Sequence, residues 1–437
     1  MRLMNDAEET LARPVTGRTA APTPPLTAAV RLARRGVHDV LASITAGRLQ
    51  LQDPLGSFHF GVAQTAAPSA LVPDVALHIH DLSAYLDIAT GGTVGAAEAY
   101  MAGKWTVSDL PGVMRLLVIN REVMNRLESG MARLGGALLK VAHWYHRNSR
   151  AGSRRNIQAH YDLGNELFEL FLDPAMMYSS AVFPRPESSL EEASLHKLDL
   201  LCRKLDLRPT DHLLEIGTGW GGLALYAAQN FGCRVTTTTI SRNQFDFATE
   251  RVGKAGLGDR ITILSEDYRD LTGTFDKLVS VEMIEAVGLN FLDSYFRICS
   301  ARLKPAGRMV LQSIIIADRN YEQARHSVDF IQKYIFPGGA LPSCGAILSS
   351  VSRVTDLQLT NLHDIGFDYA RTLQIWRKRF LHRLPAVRRL GYPDEFVRMW
   401  DWYLAYCEGG FLERAISAVQ VVLDKPDSRL QPQAVTG

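Results

Sequence analysis

The stretch Leu213–Gly222, Leu-Leu-Glu-Ile-Gly-Thr-Gly-Trp-Gly-Gly, runs an apolar segment into one acid and then a glycine cluster. Leu223-Ala-Leu-Tyr-Ala-Ala-Gln follows with helical spacing. A strand, a tight turn and a helix in that order bring backbone N–H groups and a helix N-terminus to one point, the geometry that meets a bound nucleotide. Gly217, Gly219 and Gly222 also satisfy the dinucleotide pattern G-x-G-x-x-G, so the turn alone leaves the ligand open.

The flanking sequence repeats the alternation. Strands are expected at His212–Ile216, Arg234–Ile240, Ile261–Leu264, Lys277–Val281 and Met309–Ile314, with helices starting near Leu223, Gln244, Asn290 and Ser327. Apolar strands alternating with helices predict an α/β fold, a doubly wound and mostly parallel sheet with ligands at the strands' C-terminal ends. A chain of 437 residues exceeds one average core, so a second domain is expected. Arg48–Gln52 and Ser57–Gly61 alternate around Asp53-Pro-Leu-Gly as a hairpin; Val75–His80 reads as a third strand and Leu82–Tyr100 as a helix broken at Gly91-Gly92. These make a smaller mixed α/β N-terminal domain over 26–140. It follows an Ala/Pro/Thr-rich disordered arm over 1–25 and precedes a basic linker over 141–155. The catalytic domain is expected over 156–425, with a tail over 426–437.

Charge and cysteines exclude several classes. A formal net charge of +2 gives no global attraction to nucleic acid. The five cysteines are scattered and form no C-x-x-C pair, which points to a reducing compartment without disulfides or a zinc site. His78 and His80 share a strand face without a third ligand nearby, so they are read as structural and no metal is expected. The N-terminus lacks an apolar signal core and no run is long enough to span a bilayer. A cytoplasmic protein, at most attached to the inner face of the membrane, is the expectation. Lys140, His143, His146, Arg147, Arg150, Arg154 and Arg155 form either a solvated linker or a strip for anionic head groups. Thr372–Arg389 places Leu373, Trp376, Phe380 and Leu384 at helical spacing among basic residues. Such a helix lies on an anionic surface or packs its stripe on the methyltransferase core with its charges in water, and both hold if it borders the acyl-chain entrance. Met114, Met124 and Met131 with Leu116–Val118 add apolar surface for core or dimer packing, and a homodimer is expected.

Three features choose between nucleotides. The second strand ends Thr236-Thr-Thr-Thr-Ile-Ser without the acid that a dinucleotide ribose needs. Glu215 stands two residues before the first glycine, and Glu266-Asp267-Tyr268 closes the third strand. This ordered set resembles the class I S-adenosylmethionine (SAM)-dependent methyltransferases. The series His160-Tyr-Asp-Leu-Gly-Asn, Tyr178-Ser179, Glu215–Gly222, Thr239-Ile-Ser241, Asp267-Tyr-Arg-Asp, Met283-Ile-Glu-Ala-Val-Gly, Lys333-Tyr-Ile-Phe-Pro-Gly-Gly and Cys407-Glu-Gly-Gly-Phe resembles the cyclopropane-fatty-acyl-phospholipid synthases. The resemblance is dense over roughly 150–425.

It implies transfer of a methyl group from SAM to the cis double bond of a phospholipid acyl chain, then proton loss and ring closure, with a bound bicarbonate as base. It implies a SAM site lined by Tyr178, Ser179, Glu215, Gly217, Gly219, Gly221, Thr239, Ser241, Gln244, Asp267 and Tyr268, with Gln244 in place of the ribose acid. Glu285, Ile314 and Tyr369 match the family's bicarbonate contacts, and Cys407 its suspected active-site cysteine, although a small buried hydrophobe explains Cys407 equally. Two positions depart: Gln312 stands where the family has histidine, and Ser180 where it has cysteine. Gln312 donates to an oxyanion but carries no charge. A methyl-branched or methylene product, and a silent paralogue that binds SAM or lipid, are the alternatives.

Overall fold

Strand β5 (His212–Ile216) leads into Gly217 and the helix Gly222–Phe231, as the apolar run, the glycines and the helical spacing require. The computed structural model describes residues 27–62, 72–128 and 163–429. The arm over 1–25, the basic strip over 140–155, Met131, His160 and the last residues of the tail lie outside the described residues. The chain divides into two compact units. One comprises Met1–His143, Ser327–Ile335 and Leu373–Ala415; the other comprises Trp144–His326, Phe336–Thr372 and Ile416–Gly437. Where the sequence suggests one continuous catalytic domain over 156–425, two of its segments therefore group with the N-terminal residues. The helix Asp394–Leu412 packs on the helices Leu110–Ile119 and Ala84–Met101, which explains the grouping.

In the first unit, β1 (Gly47–Asp53) pairs with β2 (Gly56–Val62) as the expected hairpin and in parallel with β3 (Asp74–Ile79), which pairs with β4 (Trp105–Val107). The helix Ala84–Met101 kinks at Gly92, whose φ of 59° only glycine adopts freely. His80 Nε2 lies 2.7 Å from Thr106 Oγ1. The expected amphipathic helix divides into Gly366–His382 and Leu384–Arg389, because Pro385 starts a new helix. Its apolar stripe is core: Leu373, Trp376, Phe380 and Leu384 are all buried, and Arg377 is buried in an ion pair with Asp401 at 2.6 Å. The alternative in which this stripe lies on a membrane is therefore set aside.

In the second unit, β6 (Arg234–Thr238), β7 (Ile261–Leu264), β8 (Phe275–Val281), β9 (Leu303–Ile316), β10 (Gln358–Asp364) and β11 (Ile416–Asp424) join β5 in one sheet, ordered β10-β11-β9-β8-β5-β6-β7. Strands β5 to β9 run parallel, β11 is inserted antiparallel to β9, and β10, antiparallel to β11, runs in the direction of the other five. The order reverses at β5 and β8, so their C-terminal ends open the crevice where such sheets take ligands. Two hydrophobic clusters cover the faces, one around Phe296 and Leu311, the other around Leu201 and Leu223. β10 and β11 are not anticipated from the sequence. Near Ser327, a helix Asp318–Ala324 and a π-turn Ile331–Ile335 replace the expected single helix.

Candidate active site

The glycine turn owes its form to backbone angles that other residues adopt only under strain. Gly217, Gly219 and Gly221 have φ of 100°, 51° and 83°. Gly217 and Thr218 both donate their N–H to Thr238 O, tying the turn to the end of β6. Gly222 is needed for closeness: a Cβ there would meet Ala175 O at 2.5 Å and Met177 Sδ at 2.7 Å. A Cβ at Gly219 would meet nothing within 4 Å, so the turn opens onto free space at the N-terminus of its helix. This cradle fits the nucleotide part of SAM.

The other expected SAM residues gather at the neighbouring strand ends. Glu215 is buried and accepts from Thr237 Oγ1 at 2.6 Å; burial pushes its carboxyl up to about 8, which Thr237 and Lys197 oppose. Ser241 caps the helix Arg242–Lys254, accepting from Gln244 N, and its own N–H donates to Thr239 Oγ1. Gln244 Oε1 accepts from Thr239 Oγ1, which leaves its Nε2 donors to offer a ribose. Asp267 is less available than expected. Its carboxylate accepts from the backbone, Nε and Nη2 of Arg269, at 3.0, 2.8 and 2.6 Å. Tyr268 stands beside it, edge-on to Tyr295, its hydroxyl pushed up to about 12 by burial. Tyr178 sits edge-on to Phe168, and Ser179 Oγ accepts from Lys197 Nζ at 2.9 Å. Lys197 is completely buried; desolvation lowers it to about 8 against the pull of Glu282, Asp173 and Glu215.

Directly after β8 the chain places two carboxylates three residues apart. Glu282 takes φ +49°, a left-handed conformation that costs a non-glycine residue about 1–3 kcal/mol. Its Oε1 accepts from Ser180 N at 2.9 Å and Gln312 Nε2 at 2.8 Å; its Oε2 accepts from Tyr369 OH at 2.7 Å. Burial raises its pKa, opposed by these three donors and by Lys197. Glu285 Oε1 accepts from Ile314 N at 2.5 Å and Ser313 Oγ at 3.2 Å, while its Oε2 is buried without a partner among the described residues. Burial, then the neighbouring Glu282, push Glu285 up to about 8. Each carboxylate disfavours ionisation of the other, and three donors on Glu282 against two on Glu285 favour the charged form of Glu282 over that of Glu285.

The orientation of Gln312 follows from a cation two side chains away. Lys204 Nζ, a donor only, faces Gln420 Oε1 at 2.7 Å; Gln420 Nε2 then faces Gln312 Oε1 at 2.9 Å, which turns Gln312 Nε2 onto Glu282. All three side chains are buried, so the chain of amides has one sense. Ser180 Oγ is turned away to Ala181 O and contributes only its backbone N–H.

Ser180, Gln312, Ile314, Tyr369 and Glu285 are thus brought together as the sequence suggests, but around a residue it did not single out. The donors expected to hold bicarbonate already hold the Glu282 carboxylate, and the partner of Glu285 would be a second negative charge. The residues present do not fit a bicarbonate ion. Cys407 belongs to the first unit, on the helix Asp394–Leu412, where burial and Asp329 push its thiol well up. Glu282, Lys197, Lys204 and Gln420 are the residues missed. Lys197 and Lys204 stand on the apolar stripe of the helix Leu190–Lys204 with Leu190, Leu198 and Leu201, a placement in which lysine is out of keeping.

Residues 148–421 match the family model described as mycolic acid cyclopropane synthetase. Tuberculostearic acid methyltransferase UfaA1 of Mycobacterium tuberculosis is 37% identical over 377 residues, covering 85% of this chain and 87% of that protein. Cyclopropane-fatty-acyl-phospholipid synthase of Escherichia coli K12 is 37% identical over 337 residues, 76% of this chain and 84% of its own length. Among solved structures, the cyclopropane synthase MmaA2 of Mycobacterium tuberculosis and the mycolic acid cyclopropane synthase CmaA1 complexed with SAH and CTAB each align with a TM-score of 0.59 at 28% identity. Each alignment covers 62% of this chain and 98% of the solved one. With its glycine cradle, its strand order and its enclosed carboxylates, the chain belongs to the cyclopropane synthase family and is a SAM-dependent methyltransferase.

Proposed function

We propose that the enzyme methylates the cis double bond of unsaturated acyl chains in membrane phospholipids and closes the product to a cyclopropane. The observation that carries this reading is the enclosed pair Glu282 and Glu285 at the end of β8, one strand from the glycine turn. Methylation of a nitrogen or oxygen needs a lone pair and one proton acceptor. Methylation of an alkene creates a carbocation, which demands nearby negative charge, aromatic faces and exclusion of water. A buried carboxylate pair, with its charge favoured on Glu282 and Tyr369 bonded to it, answers that demand.

The residues take separate roles. SAM supplies an electrophilic methyl group when bound. The turn Gly217–Gly221 and the N-terminus of the helix Gly222–Phe231 hold its nucleotide part, with Glu215, Thr239, Ser241, Gln244, Asp267 and Tyr268 around it and Tyr178 and Ser179 completing the wall. Glu215 gains charge next to a cationic ligand, since an opposite charge favours the ionised form. The acyl substrate brings the protein to the inner face of the cell membrane. No helix among the described residues is long and apolar enough to cross one.

A second reading is a methyl-branched or methylene product. It is favoured by the relative UfaA1, which is named a methyltransferase and matches over 85% of the chain. Incubation of purified protein with SAM and vesicles of cis-monounsaturated phospholipid, followed by fatty-acid analysis, separates the two. A one-carbon gain that resists mild hydrogenation is the expected ring. A gain that takes up hydrogen is a methylene or a methyl-branched chain with a shifted double bond, and no gain with SAM binding retained refutes the reading for this substrate.

A further inference from the structure

We propose that Glu282 is the base of the reaction, a carboxylate built into the chain where relatives are thought to bind a bicarbonate ion, and that the enzyme works without bicarbonate. The inference rests on the alkene-methylating function proposed above and names the group that completes it.

An ionised carboxylate has four lone-pair positions. In Glu282, Ser180 N and Gln312 Nε2 fill both positions on Oε1, and Tyr369 OH fills one on Oε2. The fourth is left to take a proton. Three donors hold the group still, and none of them can donate to a bicarbonate ion while it remains there. Glu282 holds its φ of +49° at the bend between β8 and the short turn Ile284–Ala286, a strained position for a residue other than glycine. A glycine would sit there without strain and would leave the donors vacant for an ion. Glutamate at 282 and glutamine at 312 form one device. The amide chain from Lys204 turns a donor onto Glu282.

The step balances within the site. Once the methyl carbon has joined one alkene carbon, the other is left with a positive charge. Glu282 Oε2 takes one proton from the added carbon, and the electron pair of that C–H bond forms the third side of the ring on the cationic carbon. The carboxylate becomes a carboxylic acid and returns its proton to solvent before the next turnover.

The test compares wild type and Glu282→Gly in buffer stripped of carbon dioxide and in the same buffer with sodium bicarbonate, using SAM and monounsaturated phospholipid vesicles. Wild type is expected to run at the same rate, within about twofold, in both. Glu282→Gly is expected to lose at least about a hundredfold in stripped buffer, the scale of general-base catalysis. Bicarbonate should restore a large part of it. SAM affinity by calorimetry should stay unchanged, which shows that the variant is folded. Wild-type activity that vanishes in stripped buffer and returns with bicarbonate overturns the role of Glu282 and leaves the proposed function standing. So does a Glu282→Gly variant that is fully active without the ion. Absence of product from wild type under both conditions refutes the proposed function itself, and the base with it.

Discussion

Replacing Tyr369 with phenylalanine removes one hydroxyl and keeps the ring. In the wild type that hydroxyl donates to Glu282 Oε2 at 2.7 Å, one of three bonds that hold a buried carboxylate in its charged form. A hydrogen bond to a charged group contributes about 1.5–3 kcal/mol. Its loss penalises the carboxylate and not the acid, so the proton affinity of the site rises about tenfold to a hundredfold, at about 1.36 kcal/mol per factor of ten. The sign is fixed: the variant needs a higher pH to ionise. Initial rates measured across a pH series, with SAM and vesicles saturating, should show the acid limb displaced upward in Tyr369→Phe. At the alkaline end the rate should approach wild type, because the base is stronger once ionised. If Tyr369 serves only as an aromatic face for the carbocation, phenylalanine preserves it and the profile does not move. A loss of rate by the same factor at every pH would refute the reasoning, because it would mean that Tyr369 does not act through the ionisation of a carboxylate.

Lys204→Met keeps an unbranched side chain, one atom shorter, and removes the donor that orients Gln420. It leaves a buried acceptor unpaired, which costs about 1–3 kcal/mol. A lower melting temperature together with a lower kcat is expected, and an unchanged kcat would show that the amide chain is passive. In Gly222→Ala the new Cβ would press on Ala175 O, so SAM affinity by calorimetry should fall about tenfold or more, the effect of a misplacement worth roughly 1.4 kcal/mol. Cys407→Ser should keep kcat within about threefold, since a thiol pushed up by burial supplies little thiolate at neutral pH. A collapse of activity would revive the nucleophilic reading of that cysteine.

The parts legible in the sequence are those with a short period. β5 with its glycines, β7 and the hairpin of β1 with β2 each announce themselves within ten residues, because alternation and turn residues are local signals. β11 carries no such signal. Buried almost throughout between β9 and β10, it reads as an apolar run that a helix core would equally explain. β9 starts six residues early, at Leu303, because Leu303 pairs with Phe275 of β8; Lys304-Pro-Ala-Gly bulges out of the ladder before pairing with β8 and β11 resumes at Arg308. The site divides the same way. Glu285 in Met283-Ile-Glu-Ala-Val-Gly is visible as a charge within an apolar stretch. Glu282, one residue before that motif, looks like an ordinary polar residue leaving a strand. Its importance lies in a positive φ and in donors from positions 180, 312 and 369, none of which a local pattern encodes.

A base fixed to the backbone also bears on which product forms. The cation left after methyl transfer has two courses. Proton loss from the added carbon closes the ring. A hydride shift from the methylated carbon moves the charge next to the methyl group, and the same proton loss then gives a methylene. Both end on one base, so the outcome depends on whether the proton leaves before the hydride moves. Glu282 is held by Ser180, Gln312 and Tyr369 and does not diffuse into place, which favours early proton loss and the ring. Glu282→Asp shortens the reach by one methylene while keeping the charge. It should slow proton removal more than methyl transfer, and so shift the fatty-acid products from ring toward methylene as the total rate falls. Chromatography of the products before and after mild hydrogenation measures the ratio. A reduced rate with an unchanged ratio would mean that the shape of the acyl site, and not the timing of the base, determines the product.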